Sequence, residues 1–359
     1  MRGPRGSRVF GSLVLLAWVL CLTTLIGGAA WHYLSYDPEA AARGTAPRAS
    51  LALSKFREAA PEETAAAPSP DEDSGGAPDA PAAPSAQKDT ALAGLHPHPD
   101  PGLLEKTDLG PLPVVGKDGR AAWRVYARPF SQVEKRPRIA IVLMGLGISA
   151  RETQLAIENL PGPVSLSFAP FGKNLDALVE SSRRKGHEVL LDLPMEPVDF
   201  PRNDPGPHTL LTSVSIDQNL RQLEWVLSRV TGYVGVSVYM GSGFATKPRA
   251  LTPILSELKA RGLMLVDTRE NPLGQTKKIA TEIGLPVADN YLFLDREPAQ
   301  DSIVENLSKL EARAKARGFA VGTAHSYPLT VRVLRSWLDS LPDKGFVLAP
   351  VSAAVANRK

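Results

Sequence analysis

From residue 138 onward, short apolar runs alternate with longer stretches of helical period. The runs are "RIAIVLM" (138–144), "VSLSFAPF" (164–171), "HEVLLDLP" (187–194), "YVGVSVYM" (233–240), "LMLVD" (263–267), "YLFLD" (291–295), "FAVGTAH" (319–325) and "FVLAPV" (346–351). Several are apolar at nearly every position, as expected of strands covered on both faces. Between them, Ile216, Leu220, Leu223, Leu227 and Val230 recur at steps of four and three, as do Ile303, Leu307, Leu310 and Ala314. That spacing predicts amphipathic helices. Repeated strand–helix units define an α/β domain over 137–355 with a parallel sheet, either doubly wound or closed into a barrel.

The pattern upstream is different. Residues 9–31, "VFGSLVLLAWVLCLTTLIGGAAW", contain no charged side chain. This is about the length of ~20 apolar residues that crosses a bilayer as a helix. A cleaved leader has a shorter apolar core, roughly 7–15 residues, so the expectation is an uncleaved transmembrane anchor. Arg2, Arg5 and Arg8 precede the span, and Asp37 and Glu39 follow it. Basic flanks stay inside, which makes 1–8 a cytoplasmic N-terminus and puts the remainder across the membrane. Residues 32–110 read as a Pro/Ala-rich linker. Within it, 65–87 has no large apolar residue and cannot offset the entropy of ordering, so the linker is expected to be disordered. Residues 111–136 regain aromatics around a Lys117-Asp118-Gly119 turn and predict a hairpin or strap against the domain that follows.

Composition narrows the function classes. The formal net charge of +3 comes without a Lys/Arg run interleaved with aromatics, so no nucleic-acid partner is expected. The single cysteine, Cys21, rules out an internal disulfide or a cysteine-based zinc site. Gly145-Leu146-Gly147-Ile148-Ser149-Ala150 fits the G-x-G-x-x-A dinucleotide pattern, between a strand and a helix. The acidic residue that would hold a ribose about 20 positions on is missing, so no nucleotide is expected.

In parallel α/β folds, chemistry gathers at the carboxyl ends of the strands. Those ends carry Met144-Gly145, Phe171, Asp192 with Glu196, Tyr239, Asp267 with Arg269, Asp295, and His325. Such a rim can bind a cation, exchange protons or hold a polar ligand. It is equally compatible with loop-orienting Asp267 and Arg269 and a helix-capping Asp295. His187 begins a strand, at the opposite end, and reads as structural.

The segments "GHEVLLDLPMEP" (186–197), "NDPGPHTLLT" (203–212), "VGVSVYMGSGF" (234–244), "LVDTR" (265–269) and "GFVLAPVSA" (345–353) resemble the divergent polysaccharide deacetylase family over 137–355. The resemblance implies a bacterial envelope protein with a distorted (β/α) barrel of the NodB-like type, an envelope polysaccharide or peptidoglycan as partner, and zinc if the protein is an active hydrolase. It would place the anchor in the inner membrane and the domain in the periplasm. Members of the family carry an aspartate pair after the first strand, where this chain has Met144 and Gly145. They carry histidines where it has Asp192 and Tyr239. Asp267, Arg269 and His325 match.

Two functions follow as expectations. In one, the barrel binds an envelope glycan through Glu196, Tyr239 and Arg269, its metal site degenerate and no cofactor held. In the other, a metal-dependent de-N-acetylase uses Asp192, Asp267 and His325 as a rearranged catalytic set, with Asp192 and His325 as candidate metal ligands. A scaffold for other envelope proteins is a third, weaker reading.

Overall fold

The computed structural model describes residues 94–131 and 133–356. The anchor expected at 9–31 and the linker up to residue 93 lie outside the described residues. Among the described residues no helix is long and apolar enough to cross a membrane.

The described chain begins with a 3₁₀ turn, Pro101–Leu103, and an antiparallel hairpin of β1 (Leu104–Thr107) and β2 (Gly110–Pro113). The hairpin therefore begins inside the segment expected to be linker. A short helix, α1 (Ala122–Val125), follows. The domain then runs β3 (Arg138–Leu146), α2 (Ala150–Asn159), β4 (Ser165–Phe168), α3 (Leu175–Arg184), β5 (Val189–Met195), α4 (Ile216–Leu227), β6 (Gly235–Met240), α5 (Pro248–Ala260), β7 (Met264–Asp267), α6 (Thr276–Ile283), β8 (Val287–Asp289), β9 (Leu292–Phe293), α7 (Gln300–Arg317), β10 (Phe319–His325), α8 (Pro328–Ser340), β11 (Val347–Leu348) and α9 (Ala353–Ala356).

Local chemistry starts the helices. Ser149 and Ser215 accept from the amides of Glu152 and Gln218 at 3.3 and 3.2 Å, the S-x-x-E/Q arrangement of a capped first turn. Pro248 and Pro328 occupy first positions, where no backbone donor is needed. In α4, Ile216 is exposed. Asn219 turns inward instead and exchanges hydrogen bonds with both backbone groups of Leu211.

The main sheet is parallel and follows the order β8-β7-β6-β5-β4-β3-β10-β9, with β11 also on β3. Its two ends are consecutive pieces of one segment: β8 pairs with β7, and β9 pairs with β10. The sheet therefore curls until it nearly meets itself, as a distorted barrel does. Asn290 stands at the junction, where its amide group donates to Thr268 O at 3.2 Å and to Thr323 Oγ1 at 2.8 Å. Strand interiors such as Ile139–Leu143 and Val189–Leu191 are buried, consistent with the uninterrupted apolar runs.

The N-terminal strap lies beneath the amino ends of the strands. Trp123 N donates to Gly262 O, ahead of β7, and Arg128 N donates to Glu188, ahead of β5. Arg183 is buried on α3 and donates to Gly232 O and His96 O, both at 2.6 Å. Burial draws its pKa down to about 10. The strap is thus bonded at the end opposite the strands' carboxyl rim.

Candidate functional site

The glycine stretch after β3 resolves into a bulge. The β3–β4 register advances from Leu143↔Leu166 to Leu146↔Phe168, so β3 carries one extra residue at Met144-Gly145. Gly145 takes φ +77° and Gly147 φ +89°, a region that glycine enters without steric cost. The bulge sets the Gly145 amide against Asp192 Oδ2 at 2.9 Å. The Gly147 amide donates to Thr153 Oγ1 at 2.8 Å. Both amides are used internally, so this turn is not a phosphate cradle.

Asp192, on β5, points into the barrel and is 2% exposed. Its second oxygen accepts from the Ser167 hydroxyl at 2.6 Å. Burial pushes its carboxyl up to about 6, against the opposing pull of Ser167, Gly145 and His325. Tyr239, on β6, is half-buried. Desolvation and then the Asp192 charge raise its phenol pKa.

His325 ends β10 beside Met144, its register partner. Its ring is held between Phe293 and Tyr327, with centroids at 4.7 and 5.0 Å. The carboxylate of Asp295, 0% exposed, lies 3.2 Å from His325 Nδ1. It also accepts from the His325 backbone amide at 3.0 and 3.1 Å and from the Thr330 hydroxyl at 2.7 Å. The histidine is therefore oriented from behind, while its ring lines a cleft of about 170 Å³ shared with Tyr239, Phe293, Glu270, Arg296 and Met144. Arg296 reaches Glu270 at 3.3 Å and lies over Phe293.

The expected residues do not all converge. Asp192, Tyr239 and His325 gather at the mouth, coupled through space. Asp267 and Arg269 line a neighbouring cleft of about 190 Å³, which shares Val238, Met240 and Glu270 with the first. There the Arg269 amide donates to Asp267 Oδ1 at 3.1 Å, and burial raises the Asp267 carboxyl. The Arg269 side chain turns to Asp289, 3.7 Å away. Glu196 is engaged by its own loop, accepting from the Thr212 amide and hydroxyl. Met240 and Arg269, at the ends of β6 and β7, adopt φ +60° and +55°. Non-glycine residues rarely take this region; Asn174, at the start of α3, and His208, in the loop after β5, do so as well.

The zinc that the resemblance implies needs about three N/O donors around one point. Met144 and Gly145 offer none, and both Asp192 oxygens already accept hydrogen bonds. Among the described residues no three His, Cys, Asp or Glu side chains group so as to hold a metal. The residues present do not fit the ion.

Residues 141–355 match the family model described as divergent polysaccharide deacetylase, and the chain belongs to that family. It is similar to an uncharacterised protein of Agrobacterium tumefaciens C58 of known structure: 36% identity, TM-score 0.67, covering 68% of this chain and 100% of that one. An uncharacterised protein of Haemophilus influenzae is 25% identical over 207 residues, which is 57% of this chain and 72% of the relative. YibQ of Escherichia coli, also uncharacterised, is 24% identical over 205 residues, covering 57% of this chain and 63% of YibQ.

Proposed function

We propose that the barrel mouth binds an N-acetylated envelope glycan and holds it without cleaving it. The observation that carries this is the composition of the mouth: three aromatic rings beside an oriented histidine and an Arg–Glu pair, with no donor set for a metal. Tyr327 is 43% exposed and offers a face on which the apolar side of a pyranose can stack, while Glu270, Arg296 and His325 are placed for hydroxyl and acetamido groups. The adjoining Asp267–Arg269 cleft lengthens the groove to take a further sugar. Membership of the family supports a polysaccharide as the ligand class. The proposal extends to place: residues 9–31 tether the chain to the bacterial inner membrane, with the barrel in the periplasm.

A second reading, hydrolysis of the acetamide, is favoured by the Asp295–His325 pair. A histidine held at Nδ1 by a buried carboxylate is the arrangement of a general acid or base, and Asp192, near pKa 6, can exchange a proton at neutral pH. Calorimetric titration of the full chain with tetra-N-acetylchitotetraose and with glycan strands of digested peptidoglycan tests both. Saturable binding, weakened about tenfold by Tyr327→Ala (about 1.4 kcal/mol), with no acetate released, is the expected result. Absence of binding to either probe rejects the glycan reading. Acetate release abolished by His325→Gln replaces binding with catalysis.

A further inference from the structure

The wall of the barrel is interrupted where β8 leaves β7 and β9 joins β10, and the groove along that seam is lined by arginines. Its volume is about 310 Å³, and Arg138, Arg269, Arg313 and Arg317 face it against one carboxylate, Asp289. Asp289 is already engaged, bonded to Lys277 at 2.5 Å and facing Arg269 at 3.7 Å. Among the described residues, Arg138, Arg313 and Arg317 have no ion-pair partner. Arg138 lies over the Phe319 ring at 5.3 Å and Arg313 over Tyr291 at 5.2 Å. These contacts hold the guanidinium planes while leaving their N–H edges open.

Arg313 and Arg317 stand one turn apart on α7, where like charges repel. The end of a helix favours cations, which accounts for Arg317 in the last turn of α7 but not for Arg313, for Arg138 at the start of β3 or for Arg269 after β7. Four guanidinium groups drawn from two elements and a loop line one groove.

From this convergence we propose that the seam binds a phosphate group, as a phosphomonoester or pyrophosphate, carried by a sugar or by a lipid headgroup. A dianion with several acceptor oxygens meets forked arginine donors better than a single carboxylate does. The groove shares Arg269 with the cleft beside the mouth, whereas Arg138, Arg313 and Arg317 line the seam and neither cleft of the mouth.

The test titrates the full chain with inorganic pyrophosphate at low ionic strength and follows heat and melting temperature. One saturable site is expected, with affinity reduced at least tenfold in the Arg313→Gln, Arg317→Gln double variant and unchanged in Arg184→Gln on α3. Pyrophosphate should raise the melting temperature of the native chain and not that of the double variant. Competition by glucose 1-phosphate assigns the phosphate to a sugar, and competition by dihexanoyl phosphatidate assigns it to a lipid. No saturable binding, equal binding by the double variant, or failure of both esters to compete overturns the proposal. The circular dichroism spectrum and the melting temperature without pyrophosphate, both expected to match those of the native chain, serve as the folding control for the double variant.

Discussion

Asp192 and Asp295 show how two buried carboxylates at one mouth differ. Asp192 accepts one amide and one hydroxyl, and burial raises its pKa from 3.8 to about 6. A raised carboxyl binds its proton more tightly in the folded state, so its contribution is complete below about pH 4 and is lost as pH rises through 6. The loss is about 3 kcal/mol at neutral pH. Asp192→Asn can still accept from Gly145 and donate to the rotatable Ser167 hydroxyl. It should stabilise the protein by about 1–3 kcal/mol at pH 8 and flatten the melting temperature between pH 4 and 6, as followed by thermal denaturation. Asp295→Ala goes the other way, because it strands the His325 amide and the Thr330 hydroxyl. A cost of about 3 kcal/mol is expected in urea unfolding, since each unmet buried donor costs roughly 1–3 kcal/mol. Asp192, Tyr239 and His325 could be chosen from their places at strand ends alone. Ser167 and Asp295 acquire their roles through bonds between β4 and β5 and between β10 and the loop after β9, and that adjacency is not written in the spacing of either segment.

Among the elements, apolar runs of five residues or more were legible, 263–267 holding β7 and 291–295 holding β9. The run 138–144 became β3, and 319–325 became β10 without change. β8 escaped notice because "VAD" is too short to show a period. The stretch 346–351 kept only two residues as strand, the chain turning there toward α9. The hairpin at 104–113 was obscured by prolines on β2 and charged residues on β1, a strand that is mostly exposed. At the bulge after β3, the two glycines are predicted to differ. A Cβ on Gly145 meets nothing within 4 Å, whereas on Gly147 it comes within 2.9 Å of Leu175 Cδ2. Gly145→Ala should cost only the backbone term, about 1–2 kcal/mol. Gly147→Ala should cost more, because Leu175 must also move. Denaturant midpoints of the two variants would show the order.

For the whole molecule, Glu188 joins three distant parts. Its oxygens accept from Arg128 N at 2.8 Å, Ser165 Oγ at 3.3 Å, Ser352 N at 3.2 Å and the Ser352 hydroxyl. The strap, β4 and the C-terminal turn thus meet on one carboxyl group. A glutamine amide nitrogen cannot accept, so Glu188→Gln leaves one backbone N–H unmet. It should cost about 1–3 kcal/mol and speed limited proteolysis of the strap, opposite in sign to Asp192→Asn. The seam has its own consequence for the barrel as a whole. β10 holds β3 through seven register pairs, whereas the segment completing the circumference is joined by three pairs to β7 and two to β10. A hoop fastened so lightly at one point can change its bore while every long pairing stays intact, so the amides of 287–293 should exchange with solvent well before those of β3. Asn290, bonded to Thr268 on one side and Thr323 on the other, is the clasp at that point.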